Sequence, residues 1–176
     1  MSFPTAIMAK HLFSAVAVVF AVACVLPALA IAARDVGVVK RGFVVQGRVF
    51  CDTCRAGFET PVSTYLQGAT VRVECRSEFT GAKTCSFEGT TDHTGTYNIL
   101  VEGEHDDHEI CESLLVSSPE SGCKTALQGR ERAPVFLSHN NGIASDTRFA
   151  NSLGFLKDTS LPVCTELLKS YEQYED

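Results

Sequence analysis

Beyond its first thirty-odd residues, the 176-residue chain has no second apolar run long enough to span a membrane. It has no excess of basic residues, with 15 Lys and Arg against 21 Asp and Glu. That balance does not favour nucleic acid, whose phosphates are held by Lys/Arg patches. There is no G-x-S-x-G nucleophile elbow and no G-x-x-x-x-G-K-[ST] phosphate loop. Ser, His and Asp all occur, but nothing in their spacing gathers them into a triad. No N-x-[ST] sequon exists, because Asn98, Asn140, Asn141 and Asn151 all fail at the third position. Low-complexity tracts and internal repeats are also missing. These absences leave no catalytic set, and the chain reads as a non-enzyme without a cofactor or a bound metal.

The N-terminus follows a different pattern. Lys10 and His11 precede a nearly unbroken apolar stretch, Leu12 to Ala33, which contains Leu26-Pro27-Ala28-Leu29-Ala30. A basic start, an apolar run, a late proline and a small-x-small site make a secretory signal. Cleavage is expected after Ala30, or as late as Ala33. A retained anchor is the alternative, and the Ala-rich composition and Pro27 count against it. Removing residues 1–30 takes away Cys24 and one charge, Lys10, leaving 14 basic and 21 acidic residues and a net charge of −7. About 146 residues then remain, the size of one domain. Residues 31–42 are expected to form a flexible leader, and residues 43–176 the folded domain.

Seven cysteines lie in that domain: Cys51, Cys54, Cys75, Cys85, Cys111, Cys123 and Cys164. In an oxidising compartment they read as a disulfide framework with one cysteine left over, and spacing alone does not choose the pairing. Phe43 to Phe50 is a strand leading straight into Cys51 and Cys54, with Gly47 marking a bulge or a close backbone approach. In Ala69 to Cys75 the residues Ala69, Val71, Val73 and Cys75 share one face, so Cys75 points into the core. Residues 85–101 read as a β-hairpin around Asp92-His93-Thr94-Gly95. Ile110 to Ser117 and Pro134 to Ser138 are further strands, and Asn140-Asn141-Gly142 is a turn signal. Leu153 to Leu156 is either a short strand or an irregular edge. Pro162 to Tyr174 has helical spacing. The expectation is an all-β sandwich or barrel of about seven antiparallel strands, prealbumin-like in pattern, with a short C-terminal helix.

Three chemical readings compete at the C-x-x-C stretch. A zinc site needs a second ligand pair, and the spacing occurs only once. A redox dithiol needs a strand-to-helix setting that the surrounding β pattern does not offer. Two disulfide anchors remain. His105 and His108, beside Asp106 and Asp107, read as a solvated acidic loop rather than a metal site. Phe136, Phe149 and Phe155 are candidates for a ligand groove, with core packing the favoured role.

The stretch Gly47-Arg48-Val49-Phe50-Cys51-Asp52-Thr53-Cys54-Arg55-Ala56-Gly57-Phe58 resembles the signature of the pollen Ole e 1 allergen and extensin family. The likeness continues through Gly68-Ala69-Thr70-Val71, Glu109-Ile110-Cys111-Glu112 and Asn151-Ser152-Leu153-Gly154-Phe155 to Leu161-Pro162-Val163-Cys164, and is greatest to pollen-specific members of grasses. The resemblance implies three disulfides, Cys51–Cys123, Cys54–Cys164 and Cys75–Cys111, with Cys85 unpaired. It implies an extracellular protein of the pollen surface or wall. Such a protein acts in hydration, germination or tube growth by binding a cell-surface receptor or cell-wall polymer, and is allergenic. The expected state is a monomer, with a dimer through Cys85 as the alternative. Olive-type members carry an N-glycan where this chain has Asn141-Gly142-Ile143, which lacks the hydroxyl residue. A secreted serine-protease inhibitor is the alternative function, with Arg55, Lys124 or Arg130 at the tip of an exposed loop.

Overall fold

The structure is a computed structural model that describes residues 42–105, 107–139 and 142–172. The expected signal segment, the leader up to residue 41, Asn140-Asn141 and the chain beyond residue 172 lie outside the described residues. Gly42, assigned to the leader, is instead the first residue of a strand.

Among the described residues ten strands form two sheets, followed by one helix. In chain order the strands are β1 (Gly42–Asp52), β2 (Thr64–Tyr65), β3 (Thr70–Ser77), β4 (Lys83–Thr90), β5 (Thr96–Glu102), β6 (Glu109–Ser117), β7 (Thr125–Ala126), β8 (Arg132–Val135), β9 (Thr147–Phe149) and β10 (Leu153–Leu156). The helix α1 spans Cys164–Glu172. No described helix is long and apolar enough to cross a membrane.

The first sheet is built on β1. Its first half pairs antiparallel with β5, from Gly42↔Glu102 to Arg48↔Thr96, and parallel with β9. Its second half pairs antiparallel with β2 and parallel with β10. The burial pattern changes at the same point. Phe43, Val45 and Gly47 alternate with less buried neighbours, whereas Val49, Phe50, Cys51 and Asp52 are all buried. Alternation marks a strand with one wet face, and continuous burial marks a strand covered on both. The second sheet has the order β4-β3-β6-β8 and is antiparallel throughout.

The core lies between the inner faces. Phe43, Val45, Val49, Tyr97, Ile99, Val101 and Phe155 of the first sheet meet Val71, Val73, Cys75, Cys111, Ala133 and Val135 of the second. Tyr97 is fully buried, and its hydroxyl needs the space that Gly47 leaves open. A Cβ at Gly47 would lie 2.3 Å from Tyr97 Oη. The glycine therefore admits a side chain rather than a neighbouring backbone, and the register with β5 runs past it without a bulge.

Two sequence expectations need correction. Residues 85–101 are not a hairpin, because β4 pairs with β3 in one sheet and β5 with β1 in the other. The inner faces of β4 and β5 oppose each other, and a Cβ at Gly89 would come within 2.8 Å of Ile99. The turn at 92–95 therefore carries the chain between sheets. Buried Thr91 fixes its start, donating its hydroxyl to Leu66 O and accepting from Ala69 N at 2.9 Å. Asp92 Oδ1 then accepts from Thr94 N at 2.8 Å, Thr94 Oγ1 at 2.6 Å and Thr96 N at 3.1 Å. The second correction concerns strand direction: the sheet built on β1 is mixed rather than antiparallel, because β9 and β10 run parallel to β1. Of the two readings of Leu153–Leu156 the short strand holds, placed between β1 and β7 with Leu153, Gly154 and Phe155 buried.

The outer face of the second sheet is charged. Glu74 sits between Arg76 and Lys83, whose Nζ is 2.7 Å away, while Arg72 pairs with Glu88 and Arg132 with Glu112. The hydrogen bond from Lys83 holds the Glu74 carboxyl below its ordinary range, with the nearby Arg76 charge adding to it and burial opposing. Hydrogen bonds from Thr94 and Thr96 do the same for Asp92. A carboxylate depressed in the folded state stabilises above its unfolded pKa, and the contribution is lost as pH falls through the folded value. The midpoint of guanidinium unfolding is therefore expected to decline on acidification below about pH 5. In Glu74→Gln that decline should be shallower, and an unchanged slope would remove Glu74 from the account.

Candidate functional site

The C-x-x-C stretch closes β1 and enters a tight turn. Asp52 is fully buried, and its carboxylate accepts from Cys54 N at 3.2 Å and Gly57 N at 2.8 Å. Thr53 donates its hydroxyl to Val62 O at 2.8 Å. The backbone of this turn also receives the distant C-terminal segment. Asp52 O accepts from Lys157 N, and Thr53 O accepts from Leu161 N at 3.0 Å. Arg55 adopts a left-handed φ of 55° and donates to the carbonyl of Lys157 at 2.6 Å.

The structure joins Cys51 to Cys123, Cys54 to Cys164 and Cys75 to Cys111, and leaves Cys85 free. The adjacent cysteines of the C-x-x-C thus hold partners 72 and 110 residues away, in the loop before β7 and at the start of α1. With both sulfurs occupied, this stretch has no thiolate to offer a metal or a substrate disulfide. Asp52 and Thr53 shape the turn that aims the two sulfurs apart.

The three basic side chains offered as alternative tips of an inhibitor loop differ in their surroundings. The Arg55 guanidinium is tied to backbone carbonyls, Arg130 is half-buried, and Lys124 stands exposed directly after the disulfide at Cys123.

His105 and His108 part company. His108 is exposed beside Glu78, whereas the His105 ring is buried and its Nδ1 lies 2.6 Å from Glu109 Oε2. Sequence reading placed both on a solvated loop, and for His105 that is corrected. Its burial follows from packing near Phe43, a contact between distant elements that local composition does not carry. One donor atom each from His105, Glu109, Cys75 and Cys111 falls within 4.8 Å of the others. Two of these are the sulfurs of one disulfide, so only two free donors remain, too few for a closed structural zinc site. Asp106 lies outside the described residues.

The three phenylalanines also divide. Phe155 is 3% exposed and belongs to the core, while Phe136 and Phe149 are each 76% exposed. Core packing, the favoured role for all three, holds for Phe155 alone. Phe136 follows the end of β8 and Phe149 ends β9, so neither has a facing sheet to cover it. With Pro134, Ile143 and Asn151 they line a shallow cleft of about 370 Å³. Arg148 closes its base, donating to Ser138 O at 2.8 Å and stacking over Phe43. Strand alternation gives Phe149 an outward direction once β9 is known, but three residues are too few to show it in the sequence.

A family model described as "Pollen protein Ole e 1 like" matches residues 41–172. The chain is 47% identical to pollen-specific protein C13 of Zea mays, over 76% of this chain and 78% of that protein. It is 47% identical to anther-specific protein LAT52 of Solanum lycopersicum, over 72% and 78% respectively. Among solved structures, the major plantain pollen allergen Pla l 1 superposes with a TM-score of 0.61 at 30% identity, covering 69% of this chain and 98% of that one.

Proposed function

The chain belongs to the Ole e 1-like pollen protein family, and on that premise we propose that it is a secreted, non-enzymatic pollen protein. It acts at the pollen surface or wall in hydration, germination or tube growth, by binding a cell-surface receptor or wall component. The observation that carries the reading is the framework of three disulfides, which ties both cysteines of the β1 turn to distant loops. Such cross-links persist in oxidising, extracellular compartments and are rare in the cytosol. They also suit a binding module, because they hold surface loops rigid without a catalytic constellation. The relatives described above are named as pollen, anther or allergen proteins, which supports the same setting.

The test uses the full chain with a C-terminal tag, expressed in pollen. It is expected to appear in the medium or the wall fraction with its N-terminus near residues 31–34. The purified oxidised protein should bind isolated pollen wall or plasma membrane, and lose that binding on reduction. Intracellular retention with residues 1–30 intact would overturn secretion. Equal retention of oxidised and reduced protein would overturn binding by the folded domain.

A further inference from the structure

Three cysteines stand in one row across the second sheet. Cys75 on β3 is in register with Cys111 on β6, to which it is disulfide-bonded, and with Cys85 on β4 at its other side. Residues directly opposite in antiparallel strands share a face, with Cβ atoms about 4.5–5.5 Å apart. All three sulfurs therefore belong to the inner face, and Cys85 packs against the core there. The row has a definite centre. Cys111 faces Val135 on its far side, so Cys75 alone has a cysteine at each hand. A thiol on one side of Cys75 and a leaving sulfur on the other is the arrangement that displacement at sulfur requires.

A second observation lies at the leaving end. The His105 ring is only 5% exposed, and its Nδ1 is taken by Glu109. Its Nε2 is buried with no hydrogen-bond partner among the described residues. A buried ring nitrogen without a partner is costly. Here the ring shares its cluster with the sulfurs of Cys75 and Cys111, where a departing thiolate would need a proton or a donor.

We propose that this row is an internal thiol–disulfide exchange site, in which Cys85 attacks Cys75 and releases Cys111. The Cys85 thiol gives up its proton, and its Sγ forms a bond to Cys75 Sγ. The Cys75–Cys111 bond breaks, and its electron pair leaves on Cys111 Sγ, which takes up a proton. One disulfide and one thiol are present before and after, so no oxidant or reductant is consumed. The domain thus holds two isomers: one ties β3 to β6, the other ties β3 to β4 and sets a free thiol beside His105. Exchange proceeds through the thiolate. Burial pushes the Cys85 thiol up, the Glu109 and Glu74 carboxylates add to this, and the Cys75 backbone opposes it. Lys83 on β4 is paired with Glu74, and His105 with Glu109, so neither is a free cation beside the thiol. Exchange is therefore slow at neutral pH and speeds up about tenfold per pH unit until the thiol titrates.

The test incubates the oxidised protein at a series of alkaline pH values and quenches it in acid. The protein is then unfolded at acid pH, alkylated with N-ethylmaleimide and mapped by peptide mass. The expected result is a growing adduct on Cys111 together with a linked Cys75–Cys85 peptide, while Cys51, Cys54, Cys123 and Cys164 stay unlabelled. An adduct confined to Cys85 at every time and pH overturns the proposal. So does an adduct spread over all seven cysteines, which marks general scrambling. As a second arm, Cys111→Ala refolded with glutathione disulfide should form Cys75–Cys85, and recovery of two free thiols at those positions counts against the site.

Discussion

Replacing Cys54 and Cys164 together by alanine is expected to lower stability by about 2–5 kcal/mol. Chain entropy sets the scale: closing a loop of 110 residues in the unfolded chain is worth roughly 4–5 kcal/mol. The other two bridges, with separations of 72 and 36 residues, differ from it by only about 1 kcal/mol on the same account. Loop length therefore does not rank them, and what each bridge holds in the folded state does. Cys75–Cys111 joins strands already paired from Thr70 to Ser77. Cys54–Cys164 anchors α1, whose other described attachments are few: a turn bond from Cys164 N to Leu161 O and an edge-to-face contact between Phe58 and Tyr171. The double alanine variant should lose amide-exchange protection over residues 164–172 as well as global stability. Loss of the Cys75–Cys111 bridge should lower the guanidinium midpoint and leave β3 and β6 protected. A Cys54/Cys164 variant with the wild-type midpoint and a protected helix would refute this division of labour.

Phe155→Ala should cost about 3–5 kcal/mol, the range for deleting a buried aromatic ring. Phe155 lies on β10, pairs with Cys51 of β1 and with Ala126 of β7, and packs in the main core. Its neighbour Gly154 is hemmed in by Phe50 and Leu127, so the surroundings have little freedom to collapse into the space left behind. Phe136→Ala and Phe149→Ala remove rings of the same size that are mostly in water, and each should stay within about 0.5 kcal/mol of wild type. Guanidinium unfolding of the three variants side by side separates these roles. A large loss in either exposed variant would mean that the cleft is packed shut in solution. A small loss in Phe155→Ala would remove β10 from the core.

That contrast shows where the sequence was legible. The face of β3 was plain from alternation, with Ala69 just before it and Val71, Val73 and Cys75 within it pointing inward, and the same period in Tyr97, Ile99 and Val101 marks the inner face of β5. Phe136, Phe149 and Phe155 have the same chemistry and sit in short apolar stretches without a measurable period. Their fates diverged because β10 is inserted between β1 and β7, while β9 lies off that path. His105 was missed for a related reason. An acidic neighbourhood predicts solvent, but its ring is enclosed by Phe43 and the disulfide from elsewhere in the chain.

By itself the amino-acid sequence determined the β-rich class, the inward faces of β3 and β5 and the family signature around Cys51 and Cys54. These follow from side-chain periodicity and residue identity, which local segments carry in full, whereas on β6 the apolar Ile110 and Val116 turn out to face solvent. Only the tertiary structure decided which strands are neighbours. It separated β4 from β5 into different sheets, put β10 beside β1, and set Cys85 next to Cys75 in one row with Cys111. Alternation reports which face is buried. The backbone groups that pair one strand with another are the same in every residue but proline, so the choice of partner rests on how distant faces pack together.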